Sequence, residues 1–142
     1  MTLTSRGAVV SAPLLHALTA QFHTDRVVPL TGFIDHSLLS RIHRLEAGGR
    51  HFDSWHTDLD ESRTLGMSVN LSAEPYEGGV FEIREEGAAP PLTRIANTDP
   101  GDAIVFAIED GLEHRVTPVK GCVAKTAFAG WFGSDRPYEV PR

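Results

Sequence analysis

Apolar and polar positions along this chain follow a helical spacing first and an alternating one later. From Ala12 to Thr24 the apolar residues Leu14, Leu15, Leu18 and Phe22 predict one short amphipathic helix. Arg26 to Leu30 is extended by composition, and Pro29 keeps that segment out of a central strand position. Asp35 to Leu45 reads either way: Asp35 suits a helix cap, while Ile42 and Arg44 suit a strand running into the Gly48-Gly49 turn. From Gly48 onward the pattern is β. Leu65, Met67, Val69 and Leu71 alternate with Thr64, Gly66, Ser68 and Asn70, a period of two whose opposite face is small and polar. The Glu77-Gly78-Gly79 turn leads into a strand from Val80 to Glu85, and Gly87 to Pro91 is a loop. Asp99-Pro100-Gly101-Asp102 turns into the apolar strand Ala103 to Ile108. Glu109 to Glu113 reads as a polar loop, His114 to Val119 as a short extended piece, and Lys120-Gly121 as a turn. Cys122 to Phe132 is the longest strand expected, and the tail from Ser134 is polar. Short strands punctuated by Gly and Pro predict an all-β sandwich or barrel.

Composition narrows the class. The chain has 142 residues, 41% hydrophobic and 23% charged, which suits one soluble globular domain and excludes wholesale disorder. Thirteen basic against nineteen acidic residues leave a net charge of −6, so bulk electrostatics do not favour nucleic acid as a partner. No run approaches the roughly 18 apolar residues of a membrane span. The stretch from Arg6 through Ala20 is a poor signal peptide, interrupted by Ser11, Pro13 and His16, so a cytoplasmic setting is expected. Cys122 is the only cysteine, which excludes an internal disulfide and a cysteine-cluster metal site. Seven histidines remain, and an ion held here must take imidazole and carboxylate.

His56-Thr57-Asp58 answers that requirement. Two residues apart on an extended segment, His56 and Asp58 project to one side and reach one ion. His114, opening a short strand after an acidic loop, is the candidate third ligand. Two histidines and one carboxylate on one face of an ion suit a non-haem Fe(II) that activates oxygen. H-x-D alone occurs by chance, and His51-Phe52-Asp53 is a second copy that spacing cannot set aside. Lys125 is the other informative residue. It interrupts an apolar stretch from Val123 to Phe132 that reads as a strand buried on both sides. A buried ammonium needs an anion, and Ala127 and Ala129 leave room beside it. A carboxylate ligand fits such a pocket; an edge position with the amine in solvent, or a carboxylate of the protein itself, is the alternative.

Taken in order, these motifs resemble the iron(II)- and 2-oxoglutarate-dependent oxygenases, most closely the prolyl-hydroxylase-like branch. The match runs over about residues 42–132. It comprises Trp55-His56-Thr57-Asp58, Glu77-Gly78-Gly79-Val80-Phe81-Glu82-Ile83, Pro100-Gly101-Asp102 with its apolar strand to Phe106, His114-Arg115-Val116 with Pro118-Val119, and Lys125 ahead of Trp131. An aromatic residue precedes the metal histidine in this family, so the resemblance selects His56 over His51 and leaves His51 and Asp53 as supporting or surface residues.

The resemblance implies a mainly β chain, a double-stranded β-helix of the jelly-roll or cupin-like kind with one or two short N-terminal helices. It implies one oxygenase domain over 1–142, with a support segment at 1–40, a core at about 41–133 and a tail at 134–142. His56, Asp58 and His114 would hold Fe(II). Lys125 would bind the distal carboxylate of 2-oxoglutarate, where most relatives use arginine and collagen-type prolyl hydroxylases use lysine. Ala127 lacks the hydroxyl that many relatives contribute, so Ser68 or Asn70 is expected to supply that hydrogen bond; Thr126 faces the wrong way on a regular strand. The implied reaction uses O2, releases succinate and CO2, and hydroxylates a peptide or protein side chain or a small metabolite. A cupin-like metal enzyme without 2-oxoglutarate and a non-catalytic binding barrel are the alternatives. No nucleic-acid or membrane partner is expected, and a homo-oligomer is compatible with the sequence. Arg63 reads as a substrate contact or a surface charge, Trp131 as core packing first and pocket lining second, and Cys122 as a small buried hydrophobe.

Overall fold

Ser11 caps the helix, its hydroxyl accepting from the Leu14 N–H at 3.4 Å, with Pro13 in the first turn where a missing N–H costs nothing. Helix α1 (Ala12–Asp25) ends at Arg26, whose left-handed backbone (φ 60°) lets its N–H return to the Phe22 carbonyl. The computed structural model describes residues 1–4, 7–35, 38–39, 53–60, 63–96, 99–123 and 125–133. Before α1 lie the paired strands β1 (Thr2–Thr4) and β2 (Gly7–Val9). The remaining strands are β3 (Val27–Leu30), β4 (Asp53–His56), β5 (Leu65–Asn70), β6 (Glu77–Gly78), β7 (Phe81–Glu85) and β8 (Thr93–Ile95). They continue with β9 (Ala103–Ala107), β10 (Leu112–Val116), β11 (Val119–Lys120) and β12 (Ala127–Phe132).

Two four-stranded antiparallel sheets carry the fold, ordered β12-β5-β9-β3 and β4-β10-β7-β8, with the ribbon β11-β6 beside them. The arrangement is jelly-roll-like, and among the described residues the sheets do not close into a barrel. Pro29 sits on the edge strand β3, where its missing N–H removes no central ladder bond. Side chains from both sheets meet between them: Val27, Ile104 and Phe106 from one, Phe81 and Ile83 from the other. A second cluster, Leu30, Phe33, Ile34, Leu39, Val69, Leu71 and Ala103, lies on the far side of the first sheet with Leu18 of α1 packed on it.

This division explains the alternation in β5. Val69 joins the outer cluster and looks away from the space between the sheets, the small, polar face with Ser68 looks into it, and Met67 packs on that cluster while also lining the cavity. Gly66 belongs to that inner face, where a Cβ would run into the Phe106 ring. Gly101 holds a positive φ of 88° in the turn before β9, and its N–H reaches the Asn70 carbonyl at 2.8 Å.

Three expectations need correction. The strand expected from Cys122 begins only at Ala127, because the main chain at Thr126 is engaged by Leu71 and by the Ser72 hydroxyl. Most of its residues are exposed: Ala127, Ala129 and Trp131 border the open cavity, while Phe128 and Phe132 on the other face stay about half exposed, and β12 ends its sheet. β10 starts at Leu112, inside the expected loop, because Gly111 (φ 76°) completes the turn early and Leu112 already pairs with Glu85. Asp35 does cap a helical turn, accepting from Leu38 N–H at 2.8 Å. Residues 36–37 and 40–45 of that stretch, His51, and the tail from Ser134 lie outside the described residues.

Candidate active site

The two histidines meet because β4 and β10 are neighbours with His56 directly opposite His114. Past His56 the chain runs on to Asp58, whose carboxylate turns back toward both rings. His56 Nε2 stands 3.9 Å from Asp58 Oδ1, His114 Nε2 stands 3.4 Å from Asp58 Oδ2, and all three ligand atoms lie within 4.8 Å of one another. An ion bound at about 2.1 Å sets its adjacent ligands about 3 Å apart, so a small closure brings this set to an ion.

Each donor is held by something else. His56 Nδ1 lies 2.7 Å from the Ser54 carbonyl; the N–H therefore belongs on Nδ1 and the lone pair on Nε2, the atom facing Asp58. His114 is buried, packed on Phe106 at 4.5 Å and Phe81 at 5.7 Å between ring centres. Asp58 Oδ2 accepts from the Trp131 indole N–H at 2.8 Å. One carboxylate and two imidazoles, each oriented by a hydrogen bond or a packed ring, form a donor set that fits a divalent first-row ion.

The triad opens onto a cavity of about 300 Å³ walled by Phe81, Phe106, Met67 and Val116, with Ser68, Lys125, Ala127 and Ala129 also lining it. Lys125 is only 6% exposed, with Nζ 5.9 Å from the centre of the Tyr76 ring. It reaches this place from the irregular segment before β12, alongside Gly79, where a Cβ would come within 3.5 Å of the lysine Cδ. Ser68 lines the cavity as expected. Asn70 does not: it is fully buried, with Nδ2 donating to the Asp99 carbonyl at 3.0 Å and Oδ1 accepting from Ser72 N–H at 2.9 Å.

Two other readings change. Trp131 takes its second reading: it lines the cavity, 47% exposed at the rim rather than in the core, and the Arg63 guanidinium lies 4.4 Å from the centre of its ring. Cys122 is exposed, because it follows the Gly121 turn instead of entering a buried strand. Tyr76 was not singled out by sequence, although its place just before Glu77-Gly78-Gly79 was a usable signal. It is buried, which pushes its phenol up to about 12. Outside the cavity, Gly87 N–H and then Arg84 hold the Glu113 carboxyl below its ordinary range.

These features coincide with a family. The model of the 2OG-Fe(II) oxygenase superfamily matches residues 40–133, and the chain belongs to that superfamily. Its members use Fe(II), 2-oxoglutarate and O2, which favours the keto-acid-dependent reading over the cupin-like one. Among solved structures, the fold is similar to a Pseudomonas putida prolyl-4-hydroxylase, with TM-score 0.66 and 13% identity over 90% of this chain and 97% of that one. It is also similar to a Trichoplax adhaerens prolyl hydroxylase in complex with a hypoxia inducible factor oxygen degradation domain peptide fragment. That likeness has TM-score 0.52 and 10% identity over 88% of this chain and 94% of the other. No curated protein matches the sequence. Among the described residues no helix is long and apolar enough to cross a membrane.

Proposed function

We propose that the chain hydroxylates a C–H bond of its substrate, with His56, Asp58 and His114 as the iron ligands and Lys125 as the anchor for 2-oxoglutarate. The observation carrying this is the facial set of three donors at a cavity that also holds a buried lysine. When bound, Fe(II) with 2-oxoglutarate and O2 supplies the oxidation, releasing succinate and CO2 as the substrate gains one oxygen atom. The protein's own part is placement. Lys125 Nζ pairs with the distal carboxylate, a point charge on a long stem instead of a planar fork. Ser68 offers the hydroxyl that Ala127 lacks. Phe81, Phe106 and Val116 keep water from the reacting end, which strengthens each charge contact inside.

An extended peptide is the first substrate class to screen, since a neighbour in fold was captured with a peptide fragment. Small metabolites are the second. The cosubstrate assignment is tested by Lys125→Ala. Losing one partner of a buried charge pair costs at least about 2 kcal/mol, so the 2-oxoglutarate dissociation constant should rise about 30-fold or more while Mn(II) affinity holds. Unchanged 2-oxoglutarate affinity would remove Lys125 from this role.

A further inference from the structure

On the other side of the sheet that carries His56 and His114, Trp55 packs against two guanidinium groups. Arg84 Cζ lies 3.9 Å from its ring centre and Arg115 Cζ lies 4.5 Å away. Each arginine is itself fixed. Arg115 Nε donates to Glu82 Oε2 at 2.6 Å, and that carboxylate is 2% exposed. Arg84 donates to Glu113 Oε2 through Nε at 2.9 Å and through Nη2 at 2.8 Å. The guanidinium groups therefore form a prepared platform on β7 and β10, and Trp55 is the β4 side chain that docks on it.

β4 needs such a dock. It ends its sheet, and among the described strands β10 alone pairs with it. Its register slips: His56 faces His114, yet Asp53 faces Val116, so β4 carries one residue more than β10 between these pairs. A bulge of this kind interrupts the ladder on a strand already bonded from one side only. Trp55 lies inside the bulge, next to the ligand histidine.

We infer that Trp55 is a positioning residue for the metal: its stack on Arg84 and Arg115 sets the backbone that carries His56. This rests on the assignment of His56 as a ligand. Ser54 and Trp55 then divide the work, the Ser54 carbonyl turning the imidazole and the Trp55 stack placing its Cα.

The test is a Mn(II) titration of the full chain, read by the electron-spin resonance of free Mn(II), with thermal unfolding of the metal-free protein alongside. Trp55→Leu should raise the Mn(II) dissociation constant about 10-fold or more, the range for residues that orient a ligand from behind. Trp55→Phe, which keeps a ring for the cations, should recover most of it, and Arg84→Gln should raise it about threefold. Leu30→Ala, in the outer cluster away from the site, should lower the unfolding temperature and leave the constant within about twofold. The inference is overturned if Trp55→Leu binds Mn(II) as the wild type does, or if Leu30→Ala weakens binding as much at an equal loss of stability. Should Trp55→Leu not fold, wild-type affinity in both Arg84→Gln and Trp55→Phe overturns it, and a threefold loss in Arg84→Gln upholds it. Wild-type protein that binds no Mn(II) overturns the metal-site assignment and the role of Trp55 with it, whereas normal wild-type binding with an indifferent Trp55→Leu overturns the stack alone.

Discussion

Trp131 joins two things that the sequence keeps far apart, the carboxylate of the first metal motif and the last strand. Its indole N–H is 2.8 Å from Asp58 Oδ2, which fixes the carboxylate plane and leaves Oδ1 toward His56. Trp131→Phe keeps the ring under Arg63 and removes only that hydrogen bond. A bond to a charged group contributes roughly 1.5–3 kcal/mol when buried, and less at a rim that is 47% exposed. Fe(II) affinity in Trp131→Phe should therefore fall several-fold, with little change in unfolding temperature; equal affinity would show that the bond does not position Asp58. The contrast with the candidate site residues is instructive. His56, Asp58, His114 and Lys125, which the fold brings to one cavity, stood out because their chemistry is unusual for their surroundings: an H-x-D on an extended segment, a histidine after an acidic loop, a cation in an apolar stretch. Trp131 and Tyr76 were not, because an aromatic residue looks equally at home in any core, and only the tertiary arrangement shows which group its polar tip meets.

Strand patterning told the same story with two blind spots. Alternation in β5 identified the strand, and turn residues bounded β7 and β9 closely. Hydrophobicity could not say which face of β5 looks inward, since both faces are covered, one by the outer cluster and one by the cavity. Nor could it reveal that β12 ends its sheet, so an apolar strand was expected to be buried and is largely exposed. The inner face of β5 has a direct consequence at Gly66. Gly66→Ala places a methyl against the Phe106 ring, which in turn packs on His114 at 4.5 Å. Overpacking of this kind costs roughly 1–3 kcal/mol, and the displaced ring should lower 2-oxoglutarate affinity as well as stability. A variant as stable as the wild type would mean that the ring has room to yield. Between β7 and β10, Glu113 supplies a pH signature. Its carboxyl is held below the usual 4.5, so what it adds to stability is complete above that value and is lost as pH falls through its lower folded value. Glu113→Gln should be less stable than the wild type near neutral pH, and the two should converge in acid; a constant difference down to about pH 2 would contradict the assignment.

For the molecule as a whole, the two sheets act as a frame that delivers donors from distant parts of the chain to one end of a cavity, with Lys125 on its wall. Superfamily membership, the donor set and the jelly-roll-like arrangement agree with one another. The cavity is largely apolar apart from the triad, Ser68 and Lys125, so a dicarboxylate entering it meets one cation and one potential ion site, and these define its orientation. Binding that needs both should also make the folded state harder to unfold, by an amount that grows with the logarithm of ligand excess. The most direct test is anaerobic. Fe(II) and then 2-oxoglutarate are added to the purified protein while its visible spectrum is followed. A metal-to-ligand charge-transfer band that develops with 2-oxoglutarate, disappears in Asp58→Ala and needs far more 2-oxoglutarate in Lys125→Ala is the predicted result. Iron binding without any band in the wild-type protein, or a band indifferent to both substitutions, would contradict it.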